Sequence, residues 1–536
     1  MTDEHPFPRL EDIPAEHRLE PLSADTWLAG GELLTWAGPS ETAFGAICVG
    51  TPAGLERPAI GRYPLHDEAS ALGAVRAAAR AYDRGRGAWP TMPVAARIER
   101  VQDFALRMKG QREAVVRLMM WEIGKTLADA RREFDRTVEY IDDTIDALKD
   151  LDRQCSRFVV SQGVIGQVRR APLGVALCMG PSNYPLNETY TTLIPALVMG
   201  NTAVTKTPRP GTLLHAPLVG ALRDAFPPGV VNTVNGTGRA VAPPLMASGA
   251  IDVLAFIGSA PAADALKRAH PAPHRLRSVL GLEAKNPAIV LPDADLDLAV
   301  RECVLGALSY NGQRCTALKI LFVHASILDA FLDRFVRAVD GLRVGMPWDE
   351  GVAITPLPDL AQVRKQVDLI EDAVSRGARV VNRGGGEHCQ TLLLPAVLHP
   401  VGPGMRVYDE EQWGPVVPIV AFGDVETPGR YVLDSKYGQQ VSVFGNDPQA
   451  IGRLIDPLVN QVCRVNLNSQ CQRGPDVFPF TGRKDSAEGT LSVSDALRVF
   501  SIRTLVAAKE HPANRALVTR IVRERTSTFL NTDFIL

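Results

Sequence analysis

Short apolar runs alternate with helical patterns through the middle of the chain, and this alternation restricts the possible folds more than any other feature. Runs rich in β-branched residues lie at 175–179, 203–206, 230–234 and 253–257, and stretches with helical spacing at 186–198, 213–226 and 240–247 separate them. Strands and helices that alternate in this way build parallel sheets covered by helices. A second series begins near residue 288. The sequence therefore predicts an α/β fold with two lobes.

Composition argues against several classes of function. The chain has 58 Lys and Arg residues against 60 Asp and Glu, and a formal net charge of -2 offers no polycationic surface to nucleic acid or to a membrane. No apolar run approaches the roughly 20 residues of a membrane helix. Residues 1–10 show no secretory signal, so we expect a cytoplasmic protein. Eight cysteines without a Cys-x-x-Cys pair predict neither a disulfide framework nor a metal site.

Cys315 is the candidate nucleophile. It follows a predicted helix and lies beside Arg314 among small or polar residues, in the segment 310–316 (YNGQRCT). An adjacent cation can lower the pKa of a thiol, so we expect this setting to favour the thiolate. Taken alone, however, a cysteine is more often buried packing than a nucleophile.

Five separated motifs give Cys315 its context: 181–185 (PSNYP), 256–259 (FIGS), 312–315 (GQRC), 410–415 (EEQWGP) and 479–482 (PFTG). They resemble motifs of the aldehyde dehydrogenase superfamily and follow the family's order along the chain. Several motifs in order are more specific than any one alone. The resemblance covers about residues 65 to 510. It implies a Rossmann-type cofactor lobe, an α/β catalytic lobe and a small β oligomerisation arm.

The resemblance also divides the chain. We predict an N-terminal segment (1–66), a dinucleotide-binding domain (67–155 and 171–284), a catalytic domain (285–490), an oligomerisation arm (156–170 and 491–510) and a C-terminal tail (511–536). Residues 158–170 alternate as an antiparallel hairpin does, and residues 496–508 do so weakly. Such strands often pair with another subunit, so we expect a homodimer or homotetramer. We assign the N-terminal segment no chemistry.

The reaction that the resemblance implies is a two-step oxidation of an aldehyde. Cys315 attacks the carbonyl, a hydride leaves for a nicotinamide, and water hydrolyses the resulting thioester. The Asn183 side chain and the Cys315 backbone N–H are expected to stabilise the oxyanion.

The family places Lys206 and Arg209 against the adenosine ribose of the cofactor. Members that prefer NAD tend to carry a carboxylate at the second position, whereas a guanidinium can grip a 2′-phosphate with two N–H donors, so NADP is the expected cofactor. The alternative for Arg209 is a solvated loop charge between two prolines. The remaining cofactor residues that the motifs imply are Gly258 and Ser259 near the pyrophosphate, Glu411 on the nicotinamide ribose, and Trp413.

Four residues resemble the phosphate-binding positions of the family's non-phosphorylating glyceraldehyde-3-phosphate dehydrogenases: Arg136, Tyr184, Arg314 and Arg473. Three guanidiniums that converge on one pocket would offset the desolvation of a sugar phosphate, which carries roughly 1.5 to 2 negative charges. We therefore expect a small phosphorylated aldehyde, glyceraldehyde 3-phosphate, as substrate. The alternative for any single arginine is a surface ion pair.

One position departs from the family, whose general base is the Glu of a Glu-Leu-Gly-Gly-Lys segment. Aligning its Lys on Lys285 places Gly281 where that Glu belongs. In an extended segment Glu283 faces the same side as Gly281, about 6.6 Å away, and our hypothesis is that Glu283 acts as the base. The alternative is a structural carboxylate paired with Lys285 or with a backbone N–H. Two other functions stay open: acyl transfer to coenzyme A or phosphate, and a dehydrogenase-like binding protein with impaired turnover.

Overall fold

The computed structural model describes residues 6–533, and two largely parallel β-sheets organise it. The first, here called the cofactor sheet, has the strand order Val231–Val234, Thr202–Lys206, Val175–Met179, Val253–Ile257, Arg277–Gly281 and Ala487–Glu488. Its first five strands run parallel and the last pairs antiparallel. The order reverses beside Val175–Met179, and in sheets of this kind ligands bind at the carboxyl ends of the strands near the reversal.

Helices cover the cofactor sheet because its strands are buried on both faces. These are Glu68–Tyr82, Val94–Lys109, Arg112–Ile123, Leu127–Cys155, Asn187–Val198, Val219–Ala225, Gly238–Ala247 and Ala260–Ala269. Instead of the single helix expected over 213–226, a 3-10 helix Leu213–Leu218, which contains Pro217, precedes Val219–Ala225. Gly124 ends the helix Arg112–Ile123 with a φ of 69°, and a Cβ there would lie 2.0 Å from the Pro356 carbonyl oxygen.

The second sheet, the catalytic sheet, has seven strands. Their order is Arg379–Val380, Ala396–His399, Val416–Phe422, Leu318–His324, Asn286–Val290, Gln440–Phe444 and Arg464–Leu467. Only the first pairs antiparallel. The helices Leu296–Leu308, Leu328–Asp340, Leu360–Ser375, Arg406–Asp409, Glu426–Asp434 and Pro448–Leu458 belong to this lobe. The predicted two-lobed α/β architecture is confirmed.

A three-stranded antiparallel sheet forms the arm, from Phe158–Ser161, Val164–Pro172 and Ser501–Lys509. The hairpin expected at 158–170 is present, but the strand expected at 496–508 is wrong in its first half. Residues Val493–Val499 are a helix, because Val493, Ala496, Leu497 and Phe500 bury one side at helical spacing. A helix Pro512–Arg523 without buried residues follows the last strand.

The N-terminal segment forms small sheets that pack on the cofactor lobe. Its strands are Leu22–Ser23, Thr26–Ala29, Glu32–Thr35, Ser40–Phe44, Val49–Thr51, Gly54–Glu56 and Ala59–Pro64. The Leu28 amide donates to Thr233 Oγ1 at 2.8 Å, which ties the segment to the edge strand of the cofactor sheet. Four further short strands complete the structure: His388–Cys389, Leu392–Leu393, Tyr437–Gly438 and Arg483–Lys484. Within residues 6–533, every helix is too short or too polar to cross a membrane.

Candidate active site

A cleft of about 770 Å³ is lined by residues from both lobes. It collects most of the residues that the motifs indicated: Arg136, Asn183, Tyr184, Lys206, Arg209, Gly258, Ser259, Gly281, Glu283, Arg314, Cys315, Trp413 and Arg473. The carboxyl ends of the cofactor-sheet strands contribute Met179, Lys206, Ile257 and Gly281 to its wall. The cleft therefore lies where the reversal of strand order predicts a ligand site.

Cys315 follows a tight turn whose residues Tyr310, Asn311 and Gly312 all have positive φ angles. The side chain of Asn311 fixes this turn, since it donates to the Thr355 carbonyl at 3.0 Å and accepts from the Thr355 amide at 3.0 Å. A backbone held so firmly in a sparsely populated conformation is common at functional sites.

The expectation that the setting of Cys315 favours the thiolate is wrong. Burial raises the pKa of the Cys315 thiol to about 11, and the Glu188 carboxylate adds to the shift while Arg473 opposes it. Arg314 is not available to stabilise the thiolate, because its Nη2 donates to the Gly306 carbonyl at 2.8 Å and to Gln470 Oε1 at 3.2 Å. The thiol therefore needs a proton acceptor or a change in its surroundings before it can attack.

Asn183 lies in the loop between the strand Val175–Met179 and the helix Asn187–Val198. Its Nδ2 donates to the Gln313 carbonyl at 2.8 Å, two residues before Cys315. The Asn183 carbonyl accepts from Lys125 Nζ at 3.1 Å. The amide is thus fixed beside the loop that carries the thiol, where a tetrahedral oxygen would need a donor.

A buried ion pair that the sequence analysis missed supports this loop. Lys125 pairs with Glu133, and Glu133 Oε1 also accepts from the amides of Leu186 and Asn187 at 3.0 and 3.1 Å. Burial lowers the pKa of Lys125, against the effect of Glu133. Its ammonium lies 3.6 Å from the centre of the Tyr184 ring, a cation–π contact. The pair therefore positions both Tyr184 and the start of the helix Asn187–Val198.

The structure explains in part why a glycine occupies position 281, where the family has its general base. A Cβ at Gly281 would lie 3.3 Å from Ile257 Cγ1, so the position is close to the wall of the cleft. Glu283 Oε2 accepts a long hydrogen bond of 3.4 Å from the Ala260 amide. Lys285 turns away and donates to the carbonyls of Val407 and Glu410 at 2.8 and 2.7 Å. Of the two alternatives for Glu283, the backbone N–H and not Lys285 is the observed contact.

Glu411 is buried and, unlike Trp413, is not among the residues that line the cleft. Burial raises its pKa to about 7, and Lys319, whose Nζ lies 3.9 Å from Oε1, opposes the shift. Neither carboxylate oxygen makes a hydrogen bond of normal geometry within residues 6–533, although the Ala284 amide lies close enough to lower the pKa. Lys319 also lies 4.6 Å from the centre of the Trp413 ring. An acceptor without a donor suits a ribose hydroxyl.

Lys206 and Arg209 line the part of the cleft that the resemblance assigns to adenosine, and with Glu41 they define what is here called the adenosine end. Glu41 is the feature that the sequence analysis missed. Glu41, on the N-terminal strand Ser40–Phe44, forms an ion pair with Arg209. Burial lowers the pKa of Lys206 to about 8, and repulsion from Arg209 adds to this. Ser259 precedes the helix Ala260–Ala269, whose N-terminal dipole suits a phosphate. Pro261 lacks an N–H, and the Ala260 amide donates to Glu283. A dinucleotide with a 2′-phosphate fits this donor set.

The tail site, defined by Arg136, Tyr184, Glu188, Arg314, Arg473 and Asp476, lies at the other end of the cleft. Arg136 makes two hydrogen bonds to Asp476, of 3.0 and 2.8 Å. Arg473 shares Asp476 at 3.2 Å and pairs with Glu188 through Nη1. Although burial works against the charge of Arg473, Glu188 and Asp476 raise its pKa. Arg136 and Arg473 thus meet at Asp476. The expected convergence of three guanidiniums is wrong, because Arg314 Nη2 donates to the carbonyls of Leu305 and Gly306 at the end of the helix Leu296–Leu308.

The chain is similar to known proteins in its sequence and in its fold. The family model described as "Aldehyde dehydrogenase family" matches residues 42–505. The NADP-dependent glyceraldehyde-3-phosphate dehydrogenase of Streptococcus equinus is 34% identical over 430 residues, which is 79% of this chain and 87% of that protein. The protein of the same name from Pisum sativum is 30% identical over 435 residues, covering 79% and 86%.

Among solved structures, the NADP-dependent glyceraldehyde-3-phosphate dehydrogenase from Bacillus halodurans C-125, complexed with NADP, superimposes with a TM-score of 0.82. It is 30% identical to this chain, and the match covers 91% of this chain and 99% of that one.

Proposed function

The chain belongs to the aldehyde dehydrogenase family, and from this premise we propose that it oxidises glyceraldehyde 3-phosphate to 3-phosphoglycerate with NADP. One observation carries the proposal: Cys315 lines the same cleft as Arg136, Arg314 and Arg473 at one end and Lys206 and Arg209 at the other. Relatives named NADP-dependent glyceraldehyde-3-phosphate dehydrogenase support it.

The first step is attack of the Cys315 sulfur on the aldehyde carbon, which forms a C–S bond and an oxyanion. The thiol proton must pass to solvent water as the sulfur attacks, because burial keeps the thiol protonated at neutral pH. The Asn183 side chain and the Cys315 amide would donate to the oxyanion. When bound, NADP would supply the acceptor for the hydride of the same carbon, and Lys206, Arg209 and Ser259 would hold it. Loss of that hydride leaves a thioester on Cys315.

The second step is hydrolysis of the thioester. A water must lose a proton as it attacks, and the thiol is released with the carboxylate product. We propose Glu283 as the acceptor of that proton, since Glu283 and Gly281 both line the cleft and Lys285 donates elsewhere instead of pairing with Glu283. Its long bond to the Ala260 amide leaves the carboxylate free to bind water.

The role of Glu283 is tested with the variant Glu283→Gln. We expect the burst of NADPH from the first turnover to persist and steady-state turnover to fall by about 10²-fold, the usual contribution of a general base. Stopped-flow absorbance at the NADPH band measures both. Unchanged steady-state turnover would remove Glu283 from the mechanism.

Acyl transfer to coenzyme A or phosphate is the second candidate, and the missing carboxylate at Gly281 favours it. A thiolate or phosphate acceptor depends less on a base than water does. A product assay with and without these acceptors separates the two functions, since product that forms only with an acceptor excludes hydrolysis.

The substrate and cofactor are tested together by steady-state kinetics. We expect kcat/KM for glyceraldehyde 3-phosphate to exceed that for glyceraldehyde by at least about 10²-fold, because charge-assisted bonds contribute about 1.5–3 kcal/mol each. NADP should exceed NAD by a similar factor. Equal values for the two aldehydes would refute the phosphorylated substrate.

We also propose that the arm joins subunits in a homodimer or homotetramer. Its strands leave Val159, Val160, Ile502 and Leu505 exposed, an apolar surface that a second copy would cover. Sedimentation velocity of the whole protein tests this assembly.

A further inference from the structure

Glu188 is a carboxylate in the wall of the substrate cleft, and no step of the proposed reaction uses it. It occupies the second position of the helix Asn187–Val198, whose other residues are uncharged and buried. Its side chain is 10% exposed and that of Arg473 is 5% exposed. Oε1 accepts from Asn187 Nδ2 at 3.3 Å, and Oε2 contacts Arg473 Nη1. Because burying a carboxylate without a cation is costly, Glu188 depends on Arg473. The charge of Glu188 therefore belongs to the charge balance of the tail site.

The charges of the tail site almost cancel. Arg136, Arg314 and Arg473 are positive, and Glu188 and Asp476 are negative, so the five side chains leave one positive charge. Asp476 is held by both Arg136 and Arg473, and Arg473 in turn holds Glu188. Without Glu188 the same cluster would carry two positive charges.

Two donors in this cluster remain without partners. Arg473 Nη2 and Arg314 Nε are buried and make no hydrogen bond within residues 6–533. Both side chains line the cleft. Buried donors without acceptors are costly, and an anionic group of the substrate would satisfy them. The tail site therefore still takes an anion, but with only one positive charge to balance it.

We propose that Glu188 is a specificity-determining residue, which lowers the preference of the tail site for a doubly charged phosphate and lets the site also accept an aldehyde whose far end carries one negative charge, such as a carboxylate. A doubly charged phosphate also binds there, but it competes with Glu188 for Arg473. This inference rests on the proposed function, because it takes the tail site as the place where the far end of the substrate binds.

The test is the dependence of kcat/KM on the charge of the tail. The probes are glyceraldehyde with no charge, succinic semialdehyde with one negative charge, and glyceraldehyde 3-phosphate with about two, each with NADP. For each aldehyde, the kcat/KM of Glu188→Gln is divided by the wild-type kcat/KM. This ratio removes the effect of the different sizes of the three aldehydes. The ratio for glyceraldehyde is the baseline, because Glu188 also raises the pKa of the Cys315 thiol and its removal affects every aldehyde. Above that baseline we expect about a fivefold increase for each negative charge, from the loss of one nearby charge in a partly screened site.

Equal ratios for the three aldehydes would overturn the proposal, as would a ratio that falls with charge. Glu139→Gln is the matched control, since it removes the same charge from the exposed side of the helix Leu127–Cys155 and should leave all three ratios near 1. Glu188→Met, which removes the charge with similar volume, provides the same readout if the glutamine variant does not fold. NADP binding, measured by quenching of tryptophan fluorescence, verifies that each variant is folded.

Failure of the proposed function gives a different result. A wild-type protein that prefers neither charged aldehyde to glyceraldehyde would refute the phosphorylated substrate. The ratios for Glu188→Gln would still show whether Glu188 opposes negative charge. If only the variant turns over glyceraldehyde 3-phosphate, Glu188 sets specificity and the wild-type substrate is the singly charged aldehyde.

Discussion

Both ends of the cleft place an arginine beside a carboxylate, but the two pairs differ in burial. At the adenosine end, the side chains of Arg209 and Glu41 are 31% and 33% exposed. At the tail site, those of Arg473 and Glu188 are 5% and 10% exposed. Exposed pairs contribute about 0–1 kcal/mol, whereas breaking a buried pair by removing one partner costs about 3–5 kcal/mol. A ligand phosphate can therefore replace Glu41 at little cost but must compete strongly with Glu188.

The largest effect is expected for Arg473→Met. This variant leaves Glu188 buried without a cation and Asp476 with Arg136 alone, so the free energy of unfolding should fall by about 3–5 kcal/mol. Activity on glyceraldehyde 3-phosphate should fall by about 10–100-fold more than activity on glyceraldehyde, which loses only the effect of Arg473 on the Cys315 thiol. Urea unfolding and steady-state kinetics measure the two effects.

The double variant Arg473→Met with Glu188→Met is the control for this prediction. It removes the uncompensated carboxylate, so it should be more stable than Arg473→Met alone. A loss below about 1 kcal/mol for Arg473→Met would show that the pair behaves as a solvated one, and the contrast between the two ends of the cleft would disappear.

The second effect is expected for Arg209→Gln at the adenosine end. The 2′-phosphate would lose a charge-assisted bond of about 1.5–3 kcal/mol, so kcat/KM for NADP should fall by roughly 10–100-fold. The value for NAD should stay within about twofold, because NAD carries no phosphate there. Stability should change by less than about 1 kcal/mol because the pair is exposed. An equal loss of kcat/KM with both cofactors would mean that Arg209 stabilises its own loop instead of binding the 2′-phosphate.

The fold could be predicted from the sequence because its signals are local. Strands such as Val175–Met179 and Val253–Ile257 are apolar throughout, and each is followed by a helical pattern. The first half of the predicted strand 496–508 failed because a short apolar stretch fits a strand or a helix equally well. There the burial of Ala496 and Leu497 decided for a helix.

The candidate site could be predicted only as far as the motifs reached. Cys315, Asn183 and the arginines were found by their neighbours in the chain, but the carboxylates that pair with them come from distant segments. Glu41 lies 168 residues from Arg209, and no local pattern links them. Glu188 did leave one signal, as the only charged residue of a helix that is otherwise uncharged. A carboxylate in such a helix needs a buried partner, although the sequence does not identify which one.

The smallest effect is expected for Glu41→Gln, and it tests the exposed pair most directly. If Glu41 only competes with the 2′-phosphate for Arg209, its removal should strengthen NADP binding by about threefold, within the 0–1 kcal/mol of an exposed pair. Binding of NAD should not change. Fluorescence titration with each cofactor measures this, and Glu32→Gln on the neighbouring N-terminal strand is the matched control. Weaker NADP binding would mean that Glu41 orients Arg209 towards the phosphate, and the pair at the adenosine end would then position its arginine instead of competing for it.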